Sequence, residues 1–174
     1  SFQPIGSLAE LWKNKFQRAY NLRKTIGIAD STDTNAYRLI NAEGDGMPGL
    51  IVDWYNGTAV VQCHSMGMNK EKEKFVLALK EVYGEKLKAV YDKSAATMHI
   101  KAEPTAPRTD GYIYGSDSEE TVMENGNQFS VDWVKGQKTG FFIDQLDNRA
   151  LLSQYSKDRT VLNTFCHSGG FSVY

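Results

Sequence analysis

The chain has 174 residues, 41% of them hydrophobic and 24% charged, with a net charge of −1. This length and composition are typical of a globular protein of one domain, or of one domain plus part of a second. A dedicated nucleic-acid binder is usually basic, and this chain is not. No apolar run approaches the roughly 20 residues that cross a bilayer and no signal peptide is visible, so we expect a cytoplasmic protein without a membrane partner.

The first predicted element is a helix in "SLAELWKNKFQRAYNLRK". Ser7 and Glu10 have the spacing of a capping box, and apolar side chains then recur at helical spacing. Gly27 is the predicted end signal of this helix, and a polar loop follows it. Residues 1–35 are therefore predicted to be an N-terminal helix and a linker.

Three strand-like runs follow, in "AYRLI", "GLIVDWY" and "TAVVQCHS". The dipeptide Asn56-Gly57 between the second and third runs is a strong hairpin signal. An amphipathic helix is then predicted from about Asn69 to Tyr83, because its apolar residues share one face.

The next part of the chain is predicted to add a strand, "KAVYDK", and a second hairpin, "TVMENGNQFSVDW". Between them, residues 94–120 are predicted to be a long irregular stretch. We therefore expect residues 36–134 to form one α+β domain. Its mixed or antiparallel sheet should be a single compact sheet with the 69–83 helix across one face.

The pattern changes near residue 135, where "GQKTGFF" forms a glycine-rich turn. A helix is predicted in "DQLDNRALLSQYSK", with Asp144 as its N-cap. "RTVLNTFC" is a continuous apolar run, which is typical of a strand buried on both faces of a parallel sheet. Residues 135–174 are therefore predicted to begin an α/β unit that the chain does not complete, and Leu162 and Phe165 should be unusually exposed or covered by a neighbouring molecule.

Two stretches in this part are candidates for chemistry. "VLNTFCHSGGFSVY" places two glycines between a strand and a helix start, where backbone amides and the positive end of a helix dipole suit a nucleotide-type cofactor. A tight turn without a ligand is equally compatible with this stretch alone. "GQKTGFFIDQLDNR" surrounds a double phenylalanine with charged and amide side chains, and the alternative interpretation is a packed strand with polar flanks.

Three stretches together resemble a known family, the class I S-adenosylmethionine-dependent 23S rRNA methyltransferases of the cytosine-C5 type that carry an N-terminal PUA domain. "AYRLINAEGDGMPGLIVDWY" is similar to the central-domain hairpin, "MENGNQFSVDWVKGQKTGFFIDQLDNR" to the segment entering the methyltransferase domain, and "VLNTFCHSGGFSVY" to cofactor motif I. Because family members are longer at both ends, the resemblance implies a portion of a longer protein. The PUA domain would precede Ser1, and most of a Rossmann-like methyltransferase domain would follow Tyr174.

The resemblance also implies a cofactor, S-adenosylmethionine, and a partner for the parent protein, the ribosomal RNA of the large subunit. The cofactor pocket would be approached by one set of residues and walled by a second set from motif I. The first set is Lys138, Thr139, Phe142, Gln145 and Arg149, and the second is Asn163, Phe165, His167, Ser168, Gly169 and Gly170. Two positions depart from the family pattern: Leu146 stands where Arg is usual, and His167 where Tyr is frequent.

In the resembled family, methylation at C5 is covalent catalysis, in which a cysteine thiolate adds to C6 and C5 then attacks the methyl group of the sulfonium. The target base must first be splayed out of the folded RNA. The resemblance assigns the nucleophilic cysteine to a later motif, so no catalytic residue is predicted in this chain. We therefore expect the chain alone to be inactive and to bind S-adenosylmethionine weakly or not at all.

Metal binding is not expected either. Cys63 and Cys166 lack the spacing of a disulfide scaffold or a metal site. Cys63 is interpreted as a core residue and Cys166 as a small buried residue at a strand end. His64 and His99 have no cysteine or carboxylate at ligand spacing.

Two alternatives stay open. The chain is also compatible with a stand-alone RNA-binding or structural module, or with part of a guanine-methylating relative that shares motif I. The sequence leaves open whether the protein forms a homodimer.

Overall fold

A computed structural model describes residues 6–98, 109–116 and 121–174. Most of the predicted irregular stretch, including His99, therefore lies outside the described residues. Four α-helices and seven strands are described, together with short 3-10 turns. The helices are α1 Leu8–Thr25, α2 Met66–Lys70, α3 Lys72–Tyr83 and α4 Leu146–Ser156; the strands are β1 Ala36–Asn41, β2 Leu50–Tyr55, β3 Thr58–Cys63, β4 Ala89–Asp92, β5 Gly111–Tyr114, β6 Thr121–Glu124 and β7 Asn127–Ser130.

The first five strands form one mixed sheet in the order β1-β2-β3-β4-β5. The pairs β1–β2, β2–β3 and β4–β5 are antiparallel, and β3 and β4 are parallel because α2 and α3 cross over between them. Asn56 and Gly57 both have positive φ, which gives the predicted tight hairpin between β2 and β3. The prediction of a mixed sheet is confirmed.

One face of this sheet is covered by α1 and α3. Phe16 of α1 stacks on Phe75 of α3, with 5.6 Å between ring centroids, and both are buried with Val52 and Val61 of the sheet in one apolar core. The Ser7 hydroxyl accepts the backbone N–H of Glu10, as the capping-box spacing predicts. The predicted helix across one face is also confirmed, although it divides at Glu71 into α2 and α3.

The opposite face of the sheet is covered by residues 121–141. Here β6 and β7 pair only with each other, as a separate two-stranded sheet. Val122 and Phe129 of that hairpin pack over Tyr55 and Val60 in a second apolar core. The expectation of a single sheet over residues 36–134 is therefore wrong, because the hairpin lies on the sheet and does not extend its edge.

A second correction concerns the predicted irregular stretch, which contains β5. Residues 111–114 pair with β4, beginning with Gly111 opposite Asp92. The short "GYIY" run gives only a weak strand signal in the sequence, because polar and glycine residues surround it.

The last forty or so residues hold one regular helix, α4. Its N-cap is Gln145, which makes no side-chain cap bond, so the prediction of Asp144 as the cap is wrong; Asp144 lies in the preceding 3-10 turn, Ile143–Gln145. "RTVLNTFC" forms no strand, since the described residues offer it no paired neighbour. The helix start after it is a single 3-10 turn, Gly170–Ser172.

The exposure predicted for this apolar run is confirmed. Leu162 is 86% exposed and Phe165 is 101% exposed. Cys63 is buried as predicted, whereas Cys166 is exposed. The prediction for Cys166 fails because it depended on a strand that is not formed. Among the described residues, no helix combines the length and apolar character that a membrane crossing requires.

Candidate cofactor site

Four side chains from two segments meet at the surface beside the start of α4. The Nζ atom of Lys138 lies 4.5 Å from the centroid of the Phe142 ring and 3.4 Å from a carboxylate oxygen of Asp144. The His167 ring meets the Phe142 ring edge-on, with 5.4 Å between centroids. We call these four residues the Lys138 cluster. It presents a cation, a carboxylate and two rings to solvent.

The cluster forms because the backbone turns sharply on both sides of it. Lys138 and His167 both have a φ of +50°, a conformation that non-glycine residues adopt rarely. Gly140 has a φ of +120°, and a Cβ atom there would lie 2.9 Å from the Cα atom of Trp133. Glycine is therefore required at this point of the turn, which returns the chain so that Phe142 lies beneath Lys138.

Two of the predicted amide residues make local hydrogen bonds. The Asn148 amide donates to the Gln145 side-chain oxygen at 2.9 Å. The Asn163 amide donates to the Ser172 hydroxyl at 2.7 Å, which joins the predicted strand to the last 3-10 turn. Neither residue contacts the Lys138 cluster by a hydrogen bond in the described structure.

The turn at Gly169 and Gly170 lies next to the buried part of α4. Gly169 has a φ of +74°, and a Cβ atom there would meet open space. Gly170 is buried, and a Cβ atom there would lie 3.5 Å from the Cδ atom of Arg149. Ser168 and Phe165 are exposed. The structure thus brings His167 to the cluster and Gly170 to Arg149, but it leaves Phe165 in solvent.

Two predicted cofactor residues are buried and bonded within the protein. The Thr139 hydroxyl donates to Asp53 at 2.6 Å. The Arg149 guanidinium donates to both carboxylate oxygens of Glu124, each at 2.6 Å, and to the carbonyl of Phe142 at 3.0 Å. Their side chains therefore hold the segment in place, and direct contact between them and a cofactor stays a prediction.

Sequence reasoning missed the residues that support this segment. Asp53, Gln62 and Lys93 project from the sheet toward residues 133–139, and Glu124 projects from β6 toward α4. Burial lowers the pKa of Lys93. For Asp53 and Gln62 the available signal was a polar residue inside a strongly apolar strand, because a buried polar group needs a partner.

A groove of about 520 Å³ adjoins the cluster between α1, β1 and the start of α4. Leu146, which stands where the resembled family usually has Arg, lines this groove with Ile26, Tyr37 and Arg38. The Arg38 guanidinium donates hydrogen bonds to the Asp53 carboxylate. These hydrogen bonds raise the pKa of Arg38. Leu146 therefore adds an apolar side chain to a groove that is also lined by Arg38, Asp144 and Asp147.

No group of three or more His, Cys, Asp or Glu side chains that could hold a metal occurs among the described residues. His99 lies outside them.

The comparisons with known proteins agree on one class of enzyme. The ribosomal RNA large subunit methyltransferase I of Tolumonas auensis is 43% identical over 143 residues, which cover 80% of this chain and 35% of the relative. The protein of the same name from Vibrio vulnificus is 38% identical over 176 aligned positions, which cover 100% of this chain and 43% of the relative. No family model matches the chain.

This chain is a homologue of the ribosomal RNA large subunit methyltransferases I. The resemblance stated from the sequence is therefore confirmed. The homologous region spans only between 35% and 43% of the length of these two relatives.

Two solved structures are also similar to this chain. A proposed SAM-dependent methyltransferase from Streptococcus mutans superposes with a TM-score of 0.79 at 27% identity, covering 99% of this chain and 43% of its own. A second structure, described as a proposed methyltransferase complexed with SAH, gives 0.78 at 26% identity and covers 98% and 42%. The described fold therefore matches part of methyltransferase structures.

Proposed function

We propose that this chain is the central part, with the first elements of the methyltransferase domain, of an S-adenosylmethionine-dependent enzyme that methylates C5 of a cytosine in 23S rRNA. The identity of 38–43% to large-subunit rRNA methyltransferases over 80–100% of the chain carries this proposal. The likeness to a structure complexed with SAH supports the cofactor class. The partner of the parent protein is then ribosomal RNA in the cytoplasm.

The donor set of the Lys138 cluster fits this cofactor. When bound, S-adenosylmethionine supplies a methyl group on a positively charged sulfur. Lys138 suits its carboxylate through a charge-assisted hydrogen bond, and Asp144 suits its ammonium group. The rings of Phe142 and His167 suit the adenine, since aromatic faces and edges pair favourably.

The remaining predicted residues would complete the site from the second segment. Gly169 and Gly170 let backbone approach a ligand closely, while Asn163, Phe165 and Ser168 would form the facing wall with Gln145. The proposal gives Thr139 and Arg149 the task of holding the segment that carries Lys138 and Phe142.

Isothermal calorimetry with S-adenosylmethionine tests the cofactor part of the proposal. We expect weak or no binding by the 174-residue chain, and clear binding by a protein that continues to the length of its relatives. In the longer protein, Lys138→Met should weaken binding about 10–100-fold, the value of one charge-assisted hydrogen bond. Lys157→Met, an exposed lysine beyond α4, is the matched control and should change little.

A bulky residue in place of Gly169 should abolish binding by the longer protein. Tight binding by the 174-residue chain that Lys138→Met leaves unchanged would contradict the proposed site. Nucleoside analysis of rRNA treated with the longer protein separates cytosine from guanine methylation. Modified guanine would favour the alternative of a guanine-methylating relative.

A further inference from the structure

The face of the sheet opposite α1 and α3 carries buried polar side chains from consecutive strands. Side chains alternate between the faces of a strand, so Val52 and Trp54 face the helices while Asp53 and Tyr55 face the other side. Gln62 of β3 lies on this second face with Val60. Polar residues therefore recur on the second face within strands that otherwise have the composition of a buried core.

Asp53, Gln62 and also Lys93 form hydrogen bonds to one segment of the chain, residues 133–139. The Lys93 ammonium, immediately after β4, donates to the Trp133 carbonyl and to the Gly136 carbonyl, the latter at 2.6 Å. The Gln62 amide donates to the Lys138 carbonyl at 3.3 Å. The sheet thus fixes the backbone of this segment at three carbonyl groups.

The next residue, Thr139, is held through its side chain. Its hydroxyl donates to Asp53 at 2.6 Å and lies 2.8 Å from the Tyr55 hydroxyl. Because Thr139 has only one hydroxyl proton and donates it to Asp53, Tyr55 must be the donor to Thr139. The Asp53 carboxylate also accepts two hydrogen bonds from Arg38, at 2.9 and 3.1 Å.

We propose that Asp53, with Tyr55 and Thr139, is a positioning network that holds Lys138 over the Phe142 ring. Lys138 has a left-handed backbone, which a residue keeps only where its surroundings enforce it. Two hydrogen bonds enforce this backbone conformation here. The Gln62 amide donates to the Lys138 carbonyl, and the hydroxyl of the next residue, Thr139, donates to Asp53. The inference deepens the proposed function, since it concerns cofactor binding only if Lys138 contacts the cofactor.

The test uses a spectroscopic signal that needs no cofactor. The Lys138 Nζ atom lies 4.5 Å from the Phe142 ring centroid, so the protons of the Lys138 ε-methylene group should carry an upfield ring-current shift in the NMR spectrum. Phe142→Leu removes the ring and defines the unshifted value. Thr139→Val keeps the shape of the side chain but removes the central hydroxyl, and Thr139→Ser keeps the hydroxyl.

We expect Thr139→Val to move the Lys138 signal most of the way to the Phe142→Leu value, and Thr139→Ser to leave it near the original value. Thr97→Val is the matched control. Its hydroxyl donates to the Cys63 carbonyl at 2.8 Å, so the same atoms are removed beside a residue whose side chain lies in the apolar core on the other face of the sheet. The control should keep the ring-current shift.

A folded Thr139→Val protein that keeps the shift would overturn the inference, and so would an equal loss of the shift in Thr97→Val. If Thr139→Val does not fold, Tyr55→Phe removes the donor to Thr139 with a smaller change, and an unchanged Lys138 signal in that variant overturns the inference as well. Calorimetry on the longer proteins is read separately. A lost shift with unchanged cofactor affinity upholds the positioning network and contradicts the proposed contact between Lys138 and the cofactor.

Discussion

Replacing Arg149 by Met should destabilise the protein strongly. Arg149 and Glu124 form the most deeply buried ion pair among the described residues, with 2% and 0% of their side chains exposed. Each carboxylate oxygen of Glu124 accepts a hydrogen bond from Arg149 at 2.6 Å, and one of them also accepts from the Tyr174 hydroxyl at 2.9 Å. Met fills a similar volume, so the main effect is an uncompensated buried carboxylate.

Removing one partner of a buried ion pair costs about 3–5 kcal/mol of folding free energy. For a chain of this size, each kcal/mol lowers the midpoint of thermal unfolding by about 2–4 °C, so Arg149→Met should lower it by about 6–20 °C. Urea unfolding followed by circular dichroism measures the free energy directly. Adding Glu124→Gln to Arg149→Met removes the unpaired charge and should restore part of the loss.

The matched control for this experiment is Lys13→Met. Lys13 and Glu81 also form an ion pair at 2.8 Å, but their side chains are 52% and 56% exposed. Exposed pairs contribute about 0–1 kcal/mol, so the control should change little. A loss below about 1 kcal/mol in Arg149→Met would refute the reasoning, because it would mean that water compensates Glu124 as it does an exposed carboxylate.

Three further outcomes are expected. Gly140→Ala should destabilise more than Gly126→Ala in urea unfolding, because both glycines have positive φ but only at Gly140 does an added Cβ meet neighbouring backbone. Burial and the hydrogen bond to Asp30 raise the pKa of Tyr20 to about 12 in the folded protein. Because this value lies above the unfolded value of 10, the free energy of unfolding should fall as the pH rises from 10 toward 12. Tyr20→Phe should make that fall shallower. Phe165→Ser should leave the midpoint of thermal unfolding unchanged within error, because Phe165 is fully exposed and such surface changes alter stability by about 0.5 kcal/mol or less. A large decrease in the midpoint would show that this ring packs against the protein in solution.

Elements whose signals are local were predictable from the sequence. The helix α1 begins at a side-chain cap and carries its own periodicity, and the hairpins at Asn56-Gly57 and Asn125-Gly126 need only two residues of the right type. The sheet to which a hairpin belongs is not a local property. The β6–β7 pair could have extended the sheet or packed on it, and the contacts of Val122 and Phe129 with the second face decide this.

The failed strand prediction has a related physical reason. An apolar run such as "RTVLNTFC" specifies that a strand would be buried, but a strand exists only when another strand satisfies its backbone groups. None of the described residues pairs with this run, so its backbone turns irregularly, with positive φ at Phe165. The apolar composition therefore predicted that a strand here would be buried. It did not predict whether a neighbouring strand would pair with the segment, and the described residues supply none.

The candidate site depends on long-range contacts that no local pattern encodes. The first face of the sheet binds α1 and α3 through apolar contacts, which stabilise without fixing direction. The second face holds residues 133–139 through hydrogen bonds, which are directional. Gln62 and Lys93 donate to backbone carbonyls of this segment, and Asp53 accepts from the Thr139 hydroxyl. Burying such groups lowers stability unless every one is paired, so an all-apolar face would serve stability alone equally well. Their presence on the face that carries Lys138 is better explained by a need to fix the position of that cation than by a need for folding energy.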